Sequence, residues 1–180
     1  MKCILPLLLL IVVACKGKTD AVVVEDSASS VETDKVQVDV ELPFKVFDYD
    51  GIAPLLNKAD DKVHVVNFWA TWCAPCIKEL PYFEKLGKSY ADEDVEVLLV
   101  SLDFPNKYHS KLVPFLERKN IGSKVVALDD VDQNRWIPLI DSTWSGALPA
   151  TIIYSSKQRK FYEQSFTYEE LENELKQFIN

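Results

Sequence analysis

Two cysteines, Cys73 and Cys76, stand three positions apart in the stretch NFWATWCAPCIKELPYF. A pair with this spacing can hold a soft metal ion, staple the chain, or cycle between dithiol and disulfide. Structural zinc is disfavoured because no second cysteine pair follows and His64 and His109 lack the spacing of zinc ligands. A purely structural bridge is disfavoured because so small a loop restricts the unfolded chain little. Redox chemistry is therefore the preferred interpretation.

The cysteine pair lies at the junction of a predicted strand and a predicted helix. The run KVHVVNFWA, residues 62–70, is rich in β-branched and aromatic residues, which is typical of a strand buried on both faces. Helical spacing of apolar residues begins just after Cys73 and continues to about Tyr90, with a kink expected at Pro81.

This position assigns different roles to the two sulfurs. Unpaired N–H groups and the helix dipole at a helix start stabilise an anion. We therefore predict that Cys73 is the nucleophile that attacks a disulfide, and that Cys76, one turn inward, is the resolving cysteine. Pro75 suits the first turn, where its missing N–H costs little. The alternative is a pair of buried structural thiols.

The other predicted elements favour an α/β domain over residues 41–180. Parallel strands joined by helices come first and an antiparallel hairpin follows, in the order βαβαβ and then ββα. Thr167 is expected to cap the last helix. The segments are a strand in LPFKVFDYDG, a short helix IAPLLNKA, strands DVEVLLVSLD and SKVVALDD, a helix NKYHSKLVPFLERKN with Pro114 in its first turns, an irregular or short helical QNRWIPLIDSTW, a hairpin of LPATIIYSS and KFYEQSF, and a helix TYEELENELKQFIN.

Composition excludes one class of partner. Hydrophobic residues make up 48% of the 180 residues, which is typical of a single globular domain, and the formal net charge is −8. Phosphates would be repelled by this charge, and the sequence has no basic stripe or glycine-rich phosphate loop. Nucleic acid is therefore not expected as a partner.

The first forty residues differ from the rest. An apolar run ends directly at Cys15 and is too short to span a bilayer comfortably, so residues 1–14 are expected to be a signal peptide. The end of this run is similar to a bacterial lipobox, which implies lipid attachment at Cys15 and a flexible tether over residues 15–40. The alternative is an ordinary signal with an incidental cysteine. Near the end of the tether, the alternation in VQVDV is compatible with an edge strand.

The segment VVNFWATWCAPC resembles the active-site segment of the thioredoxin superfamily, and most closely that of the TlpA/ResA-type membrane-tethered thiol-disulfide oxidoreductases. The resemblance implies a thioredoxin fold with a central mixed β-sheet flanked by helices and an N-terminal strand extension. It implies dithiol-disulfide exchange without a cofactor or metal. It also implies a monomeric domain in the bacterial cell envelope, facing the periplasm or exterior. Such a domain reduces protein disulfides, for example in cytochrome c maturation or envelope redox homeostasis, and receives electrons from an upstream membrane thiol-disulfide donor.

The same resemblance implies roles around the cysteines. Pro149 matches a cis-proline that faces the redox pair, although a plain turn proline is the alternative. The backbone at Leu148 would pair with an extended substrate segment as an added strand. Trp144 is a candidate hydrophobic lip, or else a core residue. The residues next to the cysteines complete the predicted substrate-binding set, namely Trp72, Ala74 and Pro75.

One departure concerns proton transfer. Thioredoxins carry a buried aspartate where this chain has Asn67, and an amide cannot take the proton of the resolving cysteine. Asp103, after the second buried strand, is the candidate proton acceptor, or else a solvated residue at a strand end.

Two other functions use the same cysteines. A copper chaperone would bind the metal through Cys73 and Cys76, but the chain lacks methionine ligands because Met1 is its only methionine. A peroxide-reducing redoxin would need a cysteine in a Pro-x-x-x-Thr/Ser-x-x-Cys setting, which is absent.

Overall fold

The computed structural model describes residues 41–179, and within them a single mixed sheet forms the centre of the fold. Its strand order is β1-β4-β3-β2-β5-β6. The strands are β1 (Lys45–Phe47), β2 (Val63–Trp69), β3 (Val95–Ser101), β4 (Lys124–Leu128), β5 (Ala150–Tyr154) and β6 (Arg159–Tyr162). The predicted signal peptide, tether and lipidated Cys15 lie outside the described residues.

Helices connect and cover these strands. They are α1 (Tyr49–Ile52), α2 (Ala74–Ser89), α3 (Val113–Lys119), α4 (Gln133–Ile140) and α5 (Tyr168–Leu175). Short 3₁₀ turns occupy Ala53–Leu55, Ala91–Glu93 and Pro105–Lys107, and a π turn occupies Tyr108–Leu112. No helix within the described part of the chain is long and apolar enough to cross a membrane.

Strand directions agree with the predicted α/β class. β2, β3 and β4 pair in parallel, and β1 joins β4 in parallel as the N-terminal edge strand. β5 runs antiparallel to β2 and forms a hairpin with β6 at the other edge. All seven residues of β2 are buried, because helices cover both faces of the sheet. The thioredoxin fold with an N-terminal strand is confirmed.

Two apolar cores lie on opposite faces of the sheet, because successive strand residues point to opposite sides. Trp69 packs into the first core with residues of α2, α3 and α5, including Phe83, Phe115 and Leu171. Phe68 packs into the second core with residues of α1 and α4, and with Trp144 from the loop after α4. Both cores meet at β2, which leads directly to the cysteine pair.

The two prolines predicted inside helices have different effects on α2 and α3, and a capping box begins α5. α2 continues past Pro81 to Ser89. The helix predicted around Pro114 begins instead as a π turn, in which the N–H of Val113 bonds to the carbonyl of Tyr108. Pro114 has no N–H for a regular ladder, which explains the altered turn. The predicted cap of α5 is confirmed, since Thr167 forms a capping box with Glu170.

Candidate active site

Cys73 and Cys76 form a disulfide at the start of α2. Cys73 is the N-cap residue, and its sulfur accepts the N–H of Cys76 at 3.3 Å. Ala74 and Pro75 fill the exposed first turn between them. The Cys73 side chain is 6% exposed, whereas Cys76 is fully buried. An incoming disulfide therefore meets the sulfur of Cys73 first.

The end of β2 fixes where the disulfide lies. After Trp69 the chain turns tightly, and the N–H of Cys73 donates to the carbonyl of Ala70 at 3.1 Å. The neighbouring strand end is tied to the same place, since the N–H of Leu102 donates to the carbonyl of Trp69 at 2.8 Å. The cysteines thus stand at the carboxyl ends of β2 and β3, the usual location of sites in α/β sheets.

The loop before β5 carries the predicted cis-proline. The Leu148-Pro149 peptide bond is cis, which confirms that part of the prediction. In the antiparallel register Phe68 pairs with Ala150. Pro149 therefore lies level with Trp69, the last residue of β2. Its predicted contact with the redox pair, and strand pairing at Leu148, remain predictions.

Glu163, the residue directly after β6, accepts hydrogen bonds from the loop that leads to Pro149. Its carboxylate accepts the N–H of Ser145 at 3.1 Å and the N–H of Ala147 at 3.0 Å, and it also accepts the Ser145 hydroxyl. Gly146 lies between these donors with φ +91°, a conformation that favours glycine. The bonds from Ser145 and Ala147 lower the pKa of Glu163 below its usual value. These three hydrogen bonds to one carboxylate fix the backbone conformation of the loop before Pro149.

A buried polar cluster lies behind the disulfide, between β2, β5 and α2. The side-chain amide of Asn67 donates to Glu79 at 3.0 Å and to Thr151 at 3.1 Å. Glu79 also accepts the N–H of Phe166 at 2.8 Å and is 1% exposed. Burial raises the pKa of Glu79 to about 7, although the bonds from Phe166 and Asn67 act in the opposite direction. A carboxyl group that exchanges its proton near neutral pH is thus built into the core.

Glu79 is a candidate functional residue that the sequence interpretation missed. It follows Cys76 by three positions on α2, so the two side chains share a face of the helix. Both are buried. The available signal was an acidic residue at an interior position of the helical pattern, between Cys76 and the buried residues Leu80 and Phe83.

Asp103 is buried rather than solvated, so that alternative is wrong. It is 3% exposed and accepts the Thr71 N–H at 3.0 Å, the Thr71 hydroxyl, and the Ser101 hydroxyl at 2.9 Å. These bonds tie the end of β3 to the segment just before Cys73. The predicted role of Asp103 as proton acceptor stays a prediction, and Glu79 is a second candidate for it.

The aromatic residues divide between surface and core. Trp72 is 58% exposed and stacks near Phe104, with ring centroids 6.5 Å apart. Trp144 is 5% exposed, packs against Phe68 at 5.0 Å and donates its indole N–H to the carbonyl of Ala147. The prediction of a Trp144 lip is therefore corrected to core packing, because the ring is closed in by its neighbours.

The histidine in β2 is a packed residue. His64 is 3% exposed, stacks on Tyr154 at 4.8 Å, and lies with Nε2 2.7 Å from a carboxylate oxygen of Asp60. Residues 41–179 contain no group of three or more His, Cys, Asp or Glu side chains that could hold a metal ion.

The cysteine pair begins a helix directly after the central strand of a mixed sheet, and a cis-proline precedes the antiparallel strand that pairs with that central strand. These features together define a redox domain of the thioredoxin superfamily. The AhpC/TSA family model matches residues 36–159, and the chain belongs to that family.

Similar proteins agree with this class. Thiol-disulfide oxidoreductase ResA of Bacillus anthracis is 30% identical over 157 residues, which cover 81% of this chain and 80% of the relative. ResA of Geobacillus thermodenitrificans is 30% identical over 134 residues, with 73% and 72% covered. A solved thioredoxin-related protein from Neisseria meningitidis serogroup B shares the fold, with a TM-score of 0.57 at 24% identity over 67% of this chain and 87% of that one. The chain is accordingly a thiol-disulfide oxidoreductase.

Proposed function

We propose that this protein reduces protein disulfides in the bacterial cell envelope by cycling Cys73 and Cys76 between dithiol and disulfide. The observation that carries the proposal is the asymmetry of the pair. Cys73 is the helix-capping, partly exposed sulfur, and Cys76 is buried on the face of α2 that also carries Glu79. One sulfur can meet a substrate while the other is shielded until the mixed disulfide forms.

The reaction then runs in two exchanges. The thiolate of Cys73 attacks one sulfur of the substrate disulfide, so that a mixed disulfide forms and the other substrate sulfur leaves as a thiolate. Cys76 loses its proton and attacks the sulfur of Cys73, which releases the second substrate sulfur. The substrate gains two electrons, and the domain is left with the Cys73–Cys76 disulfide. An upstream membrane thiol-disulfide donor returns two electrons to it.

The proton of Cys76 needs an acceptor inside the protein. An uncompensated buried thiolate is costly, so its formation is helped by a nearby base. Glu79 supplies one, because it shares the buried face of α2 and its pKa of about 7 leaves a substantial carboxylate fraction at neutral pH. Asp103 is the competing acceptor, but its oxygens already accept bonds from Thr71 and Ser101.

Envelope localisation rests on the N-terminal sequence. The apolar run that ends at Cys15 supports export and lipid attachment, and residues 15–40 would then connect the membrane to the redox domain. The backbone of Leu148 would receive the substrate segment. Cytochrome c maturation is one process that requires such a reductant, and other envelope thiols are further substrates.

The proposal is tested by trapping the mixed disulfide. Reduced Cys76→Ser protein is mixed with insulin as a disulfide-bonded probe, and products are separated on non-reducing gels. We expect a covalent adduct through Cys73 that a reductant cleaves. The Cys73→Ser variant should form no adduct. Adduct formation through Cys76 in the Cys73→Ser variant instead would reverse the roles. The absence of any adduct, together with no insulin reduction by the wild type, would refute the function.

A further inference from the structure

Exposed large hydrophobic side chains are few in the described part of the chain, and two of them lie together beside the disulfide. Trp72 is 58% exposed and Phe104 is 62% exposed. Their rings are 6.5 Å apart at an angle of 24°. The others are Val46, Val131 and Leu139. Exposed aromatic clusters of this kind mark interaction sites more often than isolated apolar residues do.

The two aromatic residues are carried by chain segments that are bonded to each other. Trp72 follows Thr71, whose N–H and hydroxyl both donate to Asp103. Phe104 is the residue after Asp103. Since Asp103 is itself buried and also accepts the hydroxyl of Ser101, the backbones at both aromatic residues are fixed by a common carboxylate. An anchored surface of this kind loses little conformational entropy when a partner binds.

The exposed residues nearest to the pair in the two segments are uncharged. They are Ala74, Pro75, Pro105 and Asn106, and the first exposed charge is that of Lys107, three residues after Phe104. Asp103, the acid directly before Phe104, is buried and hydrogen-bonded. Trp72, Ala74 and Pro75 flank Cys73 in the chain, and Phe104 extends this apolar surface through its ring contact with Trp72, although the chain as a whole carries a net charge of −8. A charged side chain placed on the two rings would lose hydration, whereas an apolar side chain would not.

We propose that Trp72 and Phe104 form an aromatic docking surface that binds a large apolar side chain adjacent to the reactive cysteine of a disulfide-bonded protein substrate. This inference rests on the proposed function and specifies its substrates. Consecutive Cα atoms are about 3.8 Å apart, so a substrate whose sulfur reaches Cys73 must bring the residues beside that cysteine close to Trp72, the residue before Cys73. Phe104 extends the surface and is thus a specificity-determining residue.

The test uses two synthetic peptides, each with one internal disulfide, that differ only in having Phe or Ser next to the cysteine that is attacked. For the full-length protein we expect kcat/KM to be about tenfold higher for the Phe peptide, a discrimination typical of a small apolar site. Phe104→Ser should reduce this ratio to below about threefold, and Phe104→Leu should retain most of it. Leu139→Ser removes an apolar side chain of similar exposure, 55%, from α4, and should keep the wild-type ratio.

Each outcome separates the inference from the proposed function. If the wild type reduces both peptides at equal rates, or if Phe104→Ser keeps the tenfold ratio, the docking surface is refuted and the redox function stands. If the wild type reduces neither peptide nor insulin, the function fails and the inference with it. Sedimentation at the assay concentration addresses self-association, and a dimer that dissociates in Phe104→Ser would assign the surface to a second copy and overturn the inference.

Discussion

The carboxylate of Glu79 on α2 accepts a hydrogen bond of 3.0 Å from the side-chain amide of Asn67 on β2, and both residues are buried. Asn67 cannot take a proton itself, but it orients a group that can. A titratable carboxyl group therefore lies beside the strand position of Asn67, on the helix and three residues after Cys76.

Glu79 should make the stability of the oxidised protein depend on pH. Its folded pKa of about 7 lies above its unfolded value near 4.5, so the folded state holds the proton more tightly. The resulting contribution to stability is complete below pH 4.5 and is lost as pH rises through 7. Between pH 4.5 and 8 the loss is on the order of 3 kcal/mol.

Urea unfolding at both pH values measures this loss. Glu79→Gln should remove that component of the pH dependence. The control is Glu93→Gln, which changes an exposed acid in the turn after α2 and should behave as the wild type. Equal pH dependence in Glu79→Gln and the wild type would show that the carboxyl of Glu79 titrates normally.

The two candidate proton acceptors are separated by single-turnover kinetics. Glu79→Gln should slow resolution of the mixed disulfide at pH 7 by about a hundredfold, the lower end of general-base effects, and leave the first attack nearly unchanged. Asp103→Asn should affect resolution less. The opposite pattern would assign the role to Asp103, and unchanged resolution in both variants would leave water as the acceptor.

The two thiols of the reduced protein should differ in reactivity. Brief iodoacetamide treatment at pH 7 is expected to modify Cys73, which is 6% exposed, before the fully buried Cys76. Fragmentation of the peptide that carries both cysteines locates the label. Preferential labelling of Cys76 would contradict the assigned order of attack.

Sequence patterns predicted the strands, the position of the cysteine pair at the start of α2 and the capped last helix because these depend on local spacing. The run through Asn67 was correctly predicted as a buried strand, and Thr167 as a cap. Tertiary contacts decided the rest. Glu79 is buried because the backbone of Phe166, 87 positions away, and the amide of Asn67 bind its carboxylate. The burial of Trp144 likewise depends on rings from distant segments, such as Phe68 and Phe161.

Cys15 tests the predicted membrane anchor. In the original host, the wild-type protein should fractionate with membranes and carry a lipid-modified N-terminus, whereas Cys15→Ala should be released or remain unprocessed. Mass spectrometry of the N-terminal peptide gives the modification directly. A wild-type protein that is soluble and cleaved at another residue would show that the cysteine is incidental to an ordinary signal.

The reduction potential of the Cys73–Cys76 pair tests the proposed redox function most directly. The protein is equilibrated with glutathione and dithiothreitol buffers of graded potential, and the free thiols are then counted by alkylation and mass. A protein disulfide reductant should show one two-electron transition near the value of thioredoxin, about −270 mV. A transition near −120 mV would identify an oxidant instead, and a pair that does not exchange at any potential would contradict redox function altogether.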